Sequence, residues 1–545
     1  MVNHPNPVNM SPRRSFYWIV YSLVIATSIK LLLMPGYRST DMEVHRYWMA
    51  LTHSFPIHEW YTESNSSNWT LDYPPAFAGF QWLSAVPLYA LGCADVVLDP
   101  TNAWLTSIDA DAKDPYGTGD RFTIRYMRMT VIVGDILLVW GLYRVGRVGR
   151  SQSECPPLAA AVILLDAGLF IVDHIHFQYN GLVIGLLLLS ISYLVEQRFV
   201  IAGSLLTWTL FMKHTLLSVV PAVGVLVLLN GYSRAERRTL WNIAKPIIHV
   251  CLAGLFTAIT FFTPFLSQWR NVLSRLFPFG RGLLHSYWAP NAWALYLSLD
   301  LFLARTLGAR KAIVGSATSG IIGSADPLRY LPNVSPLTAA ILSLVSSTVV
   351  IGIAVWKRRV SNQLTMRSHE ILHIVGYSSL CFFMFGWHVH EKAILLTLIP
   401  FICSAFLRPA MDEKGVTDSL AWIHPLPGRD LLLFAAVSYA SLLPLLYFPA
   451  ESGVKLSLCL MSILLIYNFL PDFDTSTSRK WNSVEMTYLG GLIVVECYTE
   501  VGGLHHYLFG RDFLHFLPLL LRSLYCAVGV SYIWVKSTIS LLRSR

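Results

Sequence analysis

The chain has 545 residues, of which 54% are hydrophobic and only 13% charged. Soluble proteins carry roughly 25% charged residues, so the composition excludes a large soluble domain and points to an all-α polytopic membrane protein. The net charge of +9 is read as membrane topology rather than nucleic-acid binding, because the basic residues gather in short loops beside apolar runs.

Apolar runs approaching the ~20 residues of a bilayer crossing recur at 15–36, 124–146, 156–173, 180–195, 199–214, 216–231, 246–265, 336–356, 371–387, 392–407, 430–448, 453–470, 484–501 and 513–536. About fourteen transmembrane helices are therefore expected. The first run follows Arg13 and Arg14 and lacks a small-residue cleavage site, the pattern of a retained signal anchor with a cytosolic N-terminus. Alternation then puts Arg144, Arg147 and Arg150 in the cytosol, followed by Arg234, Arg237 and Arg238, then Lys357, Arg358 and Arg359, and the basic C-terminus. Segment 74–98 is apolar enough to span, but a crossing there would invert that agreement. One or two interfacial helices are expected instead, inside a long non-cytosolic loop at 37–123; a second such loop covers 266–335. The organisation is thus a cytosolic tail (1–14), a transmembrane module with both loops (15–407), and C-terminal helices with a short tail (408–545). Eight scattered cysteines without CxxC spacing support neither a disulfide framework nor a zinc site.

On this topology the polar clusters all face away from the cytosol, together with sequons at Asn65, Asn68 and Asn333. In "TDMEVHRYW", Asp41 has two readings. It can cap a helix beginning at Met42, with His45 a simple i,i+4 neighbour. It can also act as a general base, and the two roles are compatible. Glu43 would point away from Asp41 on a helix, so a metal-binding DxD pair is not expected. Glu43, His45 and Arg46, with Asp72 and Tyr73 of "LDYPP", are candidates for acceptor contacts or for support of the site. "DHIHFQYNG" supplies His176 and Gln178, either as a polar loop between helices or as hydrogen-bonding groups for a hydroxylated or phosphorylated ligand; its two histidines could ligate a metal, but no further carboxylate or thiol is fixed nearby to complete such a site. "RLFPFGRGLLHSYWAPN" offers Arg281 and Trp288, either as part of an interfacial aromatic belt or as a charge and a flat face for a sugar phosphate. Lys213 of "MKHT" and Lys392 of "HVHEK" add cations able to hold an anionic leaving group without a metal ion. No nucleotide-binding motif is present, so a transferase of this kind would take a lipid-carried donor.

The motifs "TDMEVHRYW", "EWY", "LDYPP", "DHIHFQYNG", "FPFGRGLLHSYWAPNAWALY" and "HVHEKAI", spread over about residues 38–396, resemble the eukaryotic dolichyl-phosphate-glucose glucosyltransferases of the endoplasmic reticulum, which have the GT-C fold. Ile175, where the branch adding the first glucose has glycine, makes the chain look like the branch adding the second. The resemblance implies an inverting, metal-independent transfer without cofactor, from dolichyl-phosphate-glucose to Glc1Man9GlcNAc2 on dolichol diphosphate, in an α-1,3 linkage. It implies that Asp41 is the base and that His390 meets the donor phosphate. It further implies a multi-pass protein of the endoplasmic-reticulum membrane with a luminal site and both termini cytosolic, whose partners are its lipid substrates and membrane lipid. The alternatives are the sibling activity on Man9GlcNAc2, and a lipid carrier or transporter; the latter is disfavoured because no repeated halves are visible.

Overall fold

A computed structural model describes residues 12–67, 69–98, 121–148, 156–233, 239–285, 288–307, 318–319, 328–360, 366–407, 423, 425–470, 481–500, 503–510, 514 and 516–543. Asn68, Arg150, Cys155, Arg234, Arg237, Arg238 and segment 99–120 lie outside these residues, as do the side chains of Arg13, Arg14 and Arg359.

A helical segment stands at each expected span. Among the described residues, eight are long and apolar enough to cross a membrane: Phe16–Leu33, Arg121–Val148, Pro157–Ile175, Leu240–Leu276, Pro336–Arg358, Gly428–Leu445, Pro449–Phe469 and Leu517–Arg543. Asn180–Val195, Phe199–Met212 and His214–Leu229 are apolar but shorter. Eight of the fourteen expected crossings are therefore met by helices of full length and apolarity among the described residues, and the other segments are shorter or less apolar. Every residue of Leu395–Phe406 is buried, and in Ser368–Phe385 only Phe382 and Phe385 are not. Helices buried on nearly all sides make up a protein core rather than a lipid-facing wall.

Close packing and buried charge pairs hold the bundle. Arg121–Val148 meets Asn180–Val195 through two glycines: a Cβ on Gly185 would lie 2.5 Å from the Leu137 carbonyl, and one on Gly141 would lie 2.6 Å from the Gly185 oxygen. Without a hydrophobic gain between helices in lipid, such backbone approach supplies the attraction. Lys30 of the first helix reaches Asp135 at 2.7 Å, and His174 approaches the same oxygen at 3.4 Å. All three are buried. Ionisable groups at this depth persist only when paired.

Outside the spanning set, residues 74–98 form helices Pro75–Ala90 and Ala94–Leu98, joined through Gly92 at φ +67°. Trp82, Leu83, Val86 and Tyr89 remain exposed, the apolar face an interfacial helix presents to a membrane. The loop at 266–335 contains helices Trp269–Leu276 and Ala292–Thr306. It also has a feature the all-helical expectation omitted: Leu284–His285 pairs in parallel with Thr318–Ser319, and Leu284 bridges to Val389. Two backbone segments about a hundred residues apart are thereby clamped side by side.

Gly185→Val should insert a branched side chain where the backbones touch and destabilise the protein by ~1–3 kcal/mol. Gly224→Ala, whose Cβ would meet open space, should not lower stability. Thermal melting in detergent of the two variants beside the parent checks both.

Candidate active site

Helix Thr40–Ser54 begins one residue after Ser39, its N-cap. Asp41 therefore lies inside the first turn and does not cap a helix starting at Met42, as one sequence reading had it. Ser39 spends its hydroxyl elsewhere, donating to the His176 carbonyl. Freed from capping, the Asp41 carboxylate meets groups from two distant segments. Lys392 Nζ donates to Oδ2 at 2.7 Å, Gln178 Nε2 at 2.9 Å, and His176 Nε2 lies 3.4 Å from the same oxygen. No donor reaches Oδ1 among the described residues, and the Asp41 side chain keeps 27% exposure. One oxygen is anchored and the other is open.

The chain departs from regular helix to place these partners. Phe170–Ile175 is a π-helical turn, a form that recurs at functional sites. Two residues beyond it, Phe177 stands at φ +81°, a left-handed conformation that a bulky residue adopts only under constraint. His176 and Gln178 flank that residue and so both reach Asp41. Arg128 braces the turn by donating to the carbonyls of His174 and, at 2.6 Å, Tyr37. Lys213, in extended backbone between two helical segments, donates to Gln178 Oε1 at 2.9 Å and Asn180 Oδ1 at 2.6 Å. Asn180 in turn donates to Asp173 at 2.7 Å. Lys213 therefore orients the amide that holds Asp41.

Burial alone would raise the Asp41 carboxyl. The Lys392 charge and the His176 ring outweigh it and hold the group well below the usual carboxylate range. His176 is itself lowered by burial and by Lys392. It is a neutral ring whose Nε2 carries the proton that the Asp41 contact requires, an assignment made from that contact.

Beside this centre, three imidazoles converge. His285 stacks on His390 with centroids 3.8 Å apart, and His388 stands edge-on to both. His388 Nδ1 donates to the Gly282 carbonyl at 2.7 Å. His285 Nδ1 faces the buried Glu391 carboxylate at 3.7 Å. Burial pushes His388 down to about 4 and His390 well below its ordinary value. Burial would raise Glu391, but His285 and Lys392 keep it lowered and ionised.

The remaining sequence candidates have other surroundings. Arg281 lies 3.8 Å from Asp72, whose carboxyl burial pushes up to about 6 against the pull of Arg281. Both keep partial exposure at the rim. Glu43 and Arg46 pair with each other, and Arg46 also donates to the Val97 carbonyl at 3.0 Å. That pair ties the first-loop helices together and does not touch Asp41. His45 sits in a box of Trp48, Tyr73, Phe77, Phe177 and Tyr179, with Gln81 at 3.3 Å. Burial lowers it to about 3, so it is a neutral packing residue beneath the site, and Tyr73 is one of its walls. Trp288, at φ +52°, is held by its backbone to His285 and Ser523. Sequence reasoning missed the bracing by Arg128, for which a basic residue inside an apolar run was the only available signal.

A family model described as the ALG6, ALG8 glycosyltransferase family matches residues 26–537. The chain is 37% identical to a protein of Arabidopsis thaliana named dolichyl pyrophosphate Glc1Man9GlcNAc2 alpha-1,3-glucosyltransferase, over 96% of this chain and 97% of that one. It is 36% identical to a Drosophila melanogaster protein named as a probable enzyme of that kind, covering 95% and 93%. A Mus musculus protein with the Arabidopsis name is 34% identical, with 96% of each chain covered.

The geometry makes Lys392 the main reason that Asp41 stays ionised. Lys392→Met leaves burial less opposed, so the carboxyl pKa rises and protonation begins at higher pH. Carbodiimide labelling requires the protonated acid; at about pH 5, adduct formation at Asp41 read by mass spectrometry should increase by about tenfold in the variant.

Proposed function

The chain belongs to the ALG6, ALG8 glycosyltransferase family, and from that premise we propose that it transfers glucose from dolichyl-phosphate-glucose to the terminal glucose of Glc1Man9GlcNAc2 on dolichyl pyrophosphate, forming an α-1,3 linkage with inversion. The full-length similarity to proteins named for that acceptor supports the choice of substrate. The reaction belongs at the luminal face of the endoplasmic-reticulum membrane, with both termini cytosolic.

One observation carries the mechanism: Asp41 Oδ2 is anchored by Lys392, Gln178 and His176 while Oδ1 is open. The acceptor 3-hydroxyl approaches Oδ1. Its oxygen attacks C1 of the donor glucose from the side opposite phosphate, Oδ1 takes the proton, and the C1–O bond to dolichyl phosphate breaks. His390 and Lys392 hold the phosphate, with Arg281 at the rim and Trp288 nearby for the sugar. The protein's own cations therefore replace a metal ion in stabilising the leaving group. Lys392 serves two anions. As donor phosphate takes a share of its charge, Asp41 loses part of the attraction that depresses its pKa, and it becomes a stronger base only when donor is present.

With purified donor and defined lipid-linked acceptors, Asp41→Asn should fold and melt like the parent while transfer falls by about 10²–10⁴-fold. Comparable activity in that variant would remove Asp41 from the reaction. Turnover of Man9GlcNAc2 in preference to Glc1Man9GlcNAc2 would reassign the chain to the sibling activity.

A further inference from the structure

The three imidazoles have a property that phosphate contact does not require: their potential ligand nitrogens all lie within 4.8 Å of one another. Each ring comes from a segment fixed by backbone bonds. Leu284 bridges Val389, and the His388 amide donates to the Leu283 carbonyl at 3.0 Å. His388 itself is at φ +51°, a left-handed conformation that β-carbon residues rarely adopt.

One of the rings, His388, already has the support typical of metal-binding histidines, whose second nitrogen donates to a carbonyl or carboxylate. His388 Nδ1 donates to Gly282 O, so Nε2 carries the free lone pair. His285 turns Nδ1 toward Glu391 at 3.7 Å. Glu391 is 2% exposed, and no hydrogen-bond donor reaches either of its oxygens among the described residues. It is a buried negative charge beside the rings, in the place where a carboxylate would balance a cation. Tetrahedral zinc ligands at ~2.0–2.1 Å from the ion are about 3.3 Å apart, so nitrogens now within 4.8 Å of one another draw closer when an ion binds.

We propose that His285, His388 and His390 form a transition-metal site of the open three-imidazole kind, selective for Zn²⁺ and Co²⁺ over the oxygen-seeking Mg²⁺ and Ca²⁺, and that its occupancy blocks donor binding. The competition, though not the site, rests on the proposed contact between His390 and donor phosphate. An ion ligated by His390 removes that contact. The site thus makes a metal-independent enzyme sensitive to inhibition by transition metals.

The test uses the full-length protein in detergent, with Co²⁺ as a spectroscopic probe. The expected result is a set of visible ligand-field bands of tetrahedral intensity, displaced by Zn²⁺ and not by Mg²⁺. His285→Asn and His388→Asn should abolish them, and Glu391→Gln should weaken binding by about 10-fold or more. Thermal melting identifies any variant that fails to fold; for such a variant, Zn²⁺ displacement and donor competition on the parent protein decide. Bands of octahedral intensity only, equal in parent and folded variants, would overturn the site and leave glucosyl transfer intact. In kinetics, Zn²⁺ at ten times its dissociation constant should raise the apparent KM for dolichyl-phosphate-glucose about elevenfold with kcat unchanged. Tetrahedral Co²⁺ bands with no such rise would sustain the site but overturn the competition, and with it the donor contact assigned to His390.

Discussion

A carboxylate removed from bulk water persists in its charged form only if nearby cations and hydrogen-bond donors replace its lost hydration. Asp41 meets that condition through one ammonium, one amide and one neutral imidazole on a single oxygen. The rest of the site is arranged to deliver those three groups. The π-helical turn and the left-handed Phe177 aim His176 and Gln178. Lys213 fixes the orientation of the Gln178 amide. Arg128 and Ser39 hold the carbonyls of the same turn. The bundle beyond them is held by its glycine contact and the buried Lys30–Asp135 pair.

Much of this was legible in the sequence, for physical reasons that differ by element. Transmembrane helices announce themselves by length and apolarity, and their positions followed. The polar motifs stood out because charge beside apolar runs is costly and therefore rare. Pairing was not legible. Nothing local separates Lys392, which touches Asp41, from Arg281, which turns to Asp72. Nor did "TDMEVHRYW" reveal that its acidic, basic and imidazole side chains divide three ways: Asp41 to the site, Glu43 and Arg46 to each other, and His45 to an aromatic box. Helix phase explains the division afterwards, but which face meets which neighbour is set by tertiary packing. The N-cap was misplaced by two residues because Asp41, a good capping residue, is engaged elsewhere.

Local strain marks the same region. Of the non-glycine residues with positive φ, Phe177, Trp288 and His388 all fall within the motifs that build the site or its border. Each keeps its conformation because its neighbours are fixed: Phe177 by burial, Trp288 by backbone bonds to His285 and Ser523, His388 by the Leu283 and Gly282 carbonyls. Rigid positioning of this kind suits chemistry in which a nucleophile, an anomeric carbon and a leaving phosphate must lie in line.

The separation of Asp41 from Lys392 has a consequence for how the protein is made. The two residues are 351 positions apart, and a ribosome adding about 5–20 residues per second reaches the lysine tens of seconds after the aspartate has entered the membrane. Throughout that interval the nascent chain carries an acid without its main counter-cation. Once buried in that state, the acid favours its neutral form. Biogenesis therefore passes through an inert stage, and catalytic competence arrives late, when the segment carrying "HVHEK" docks.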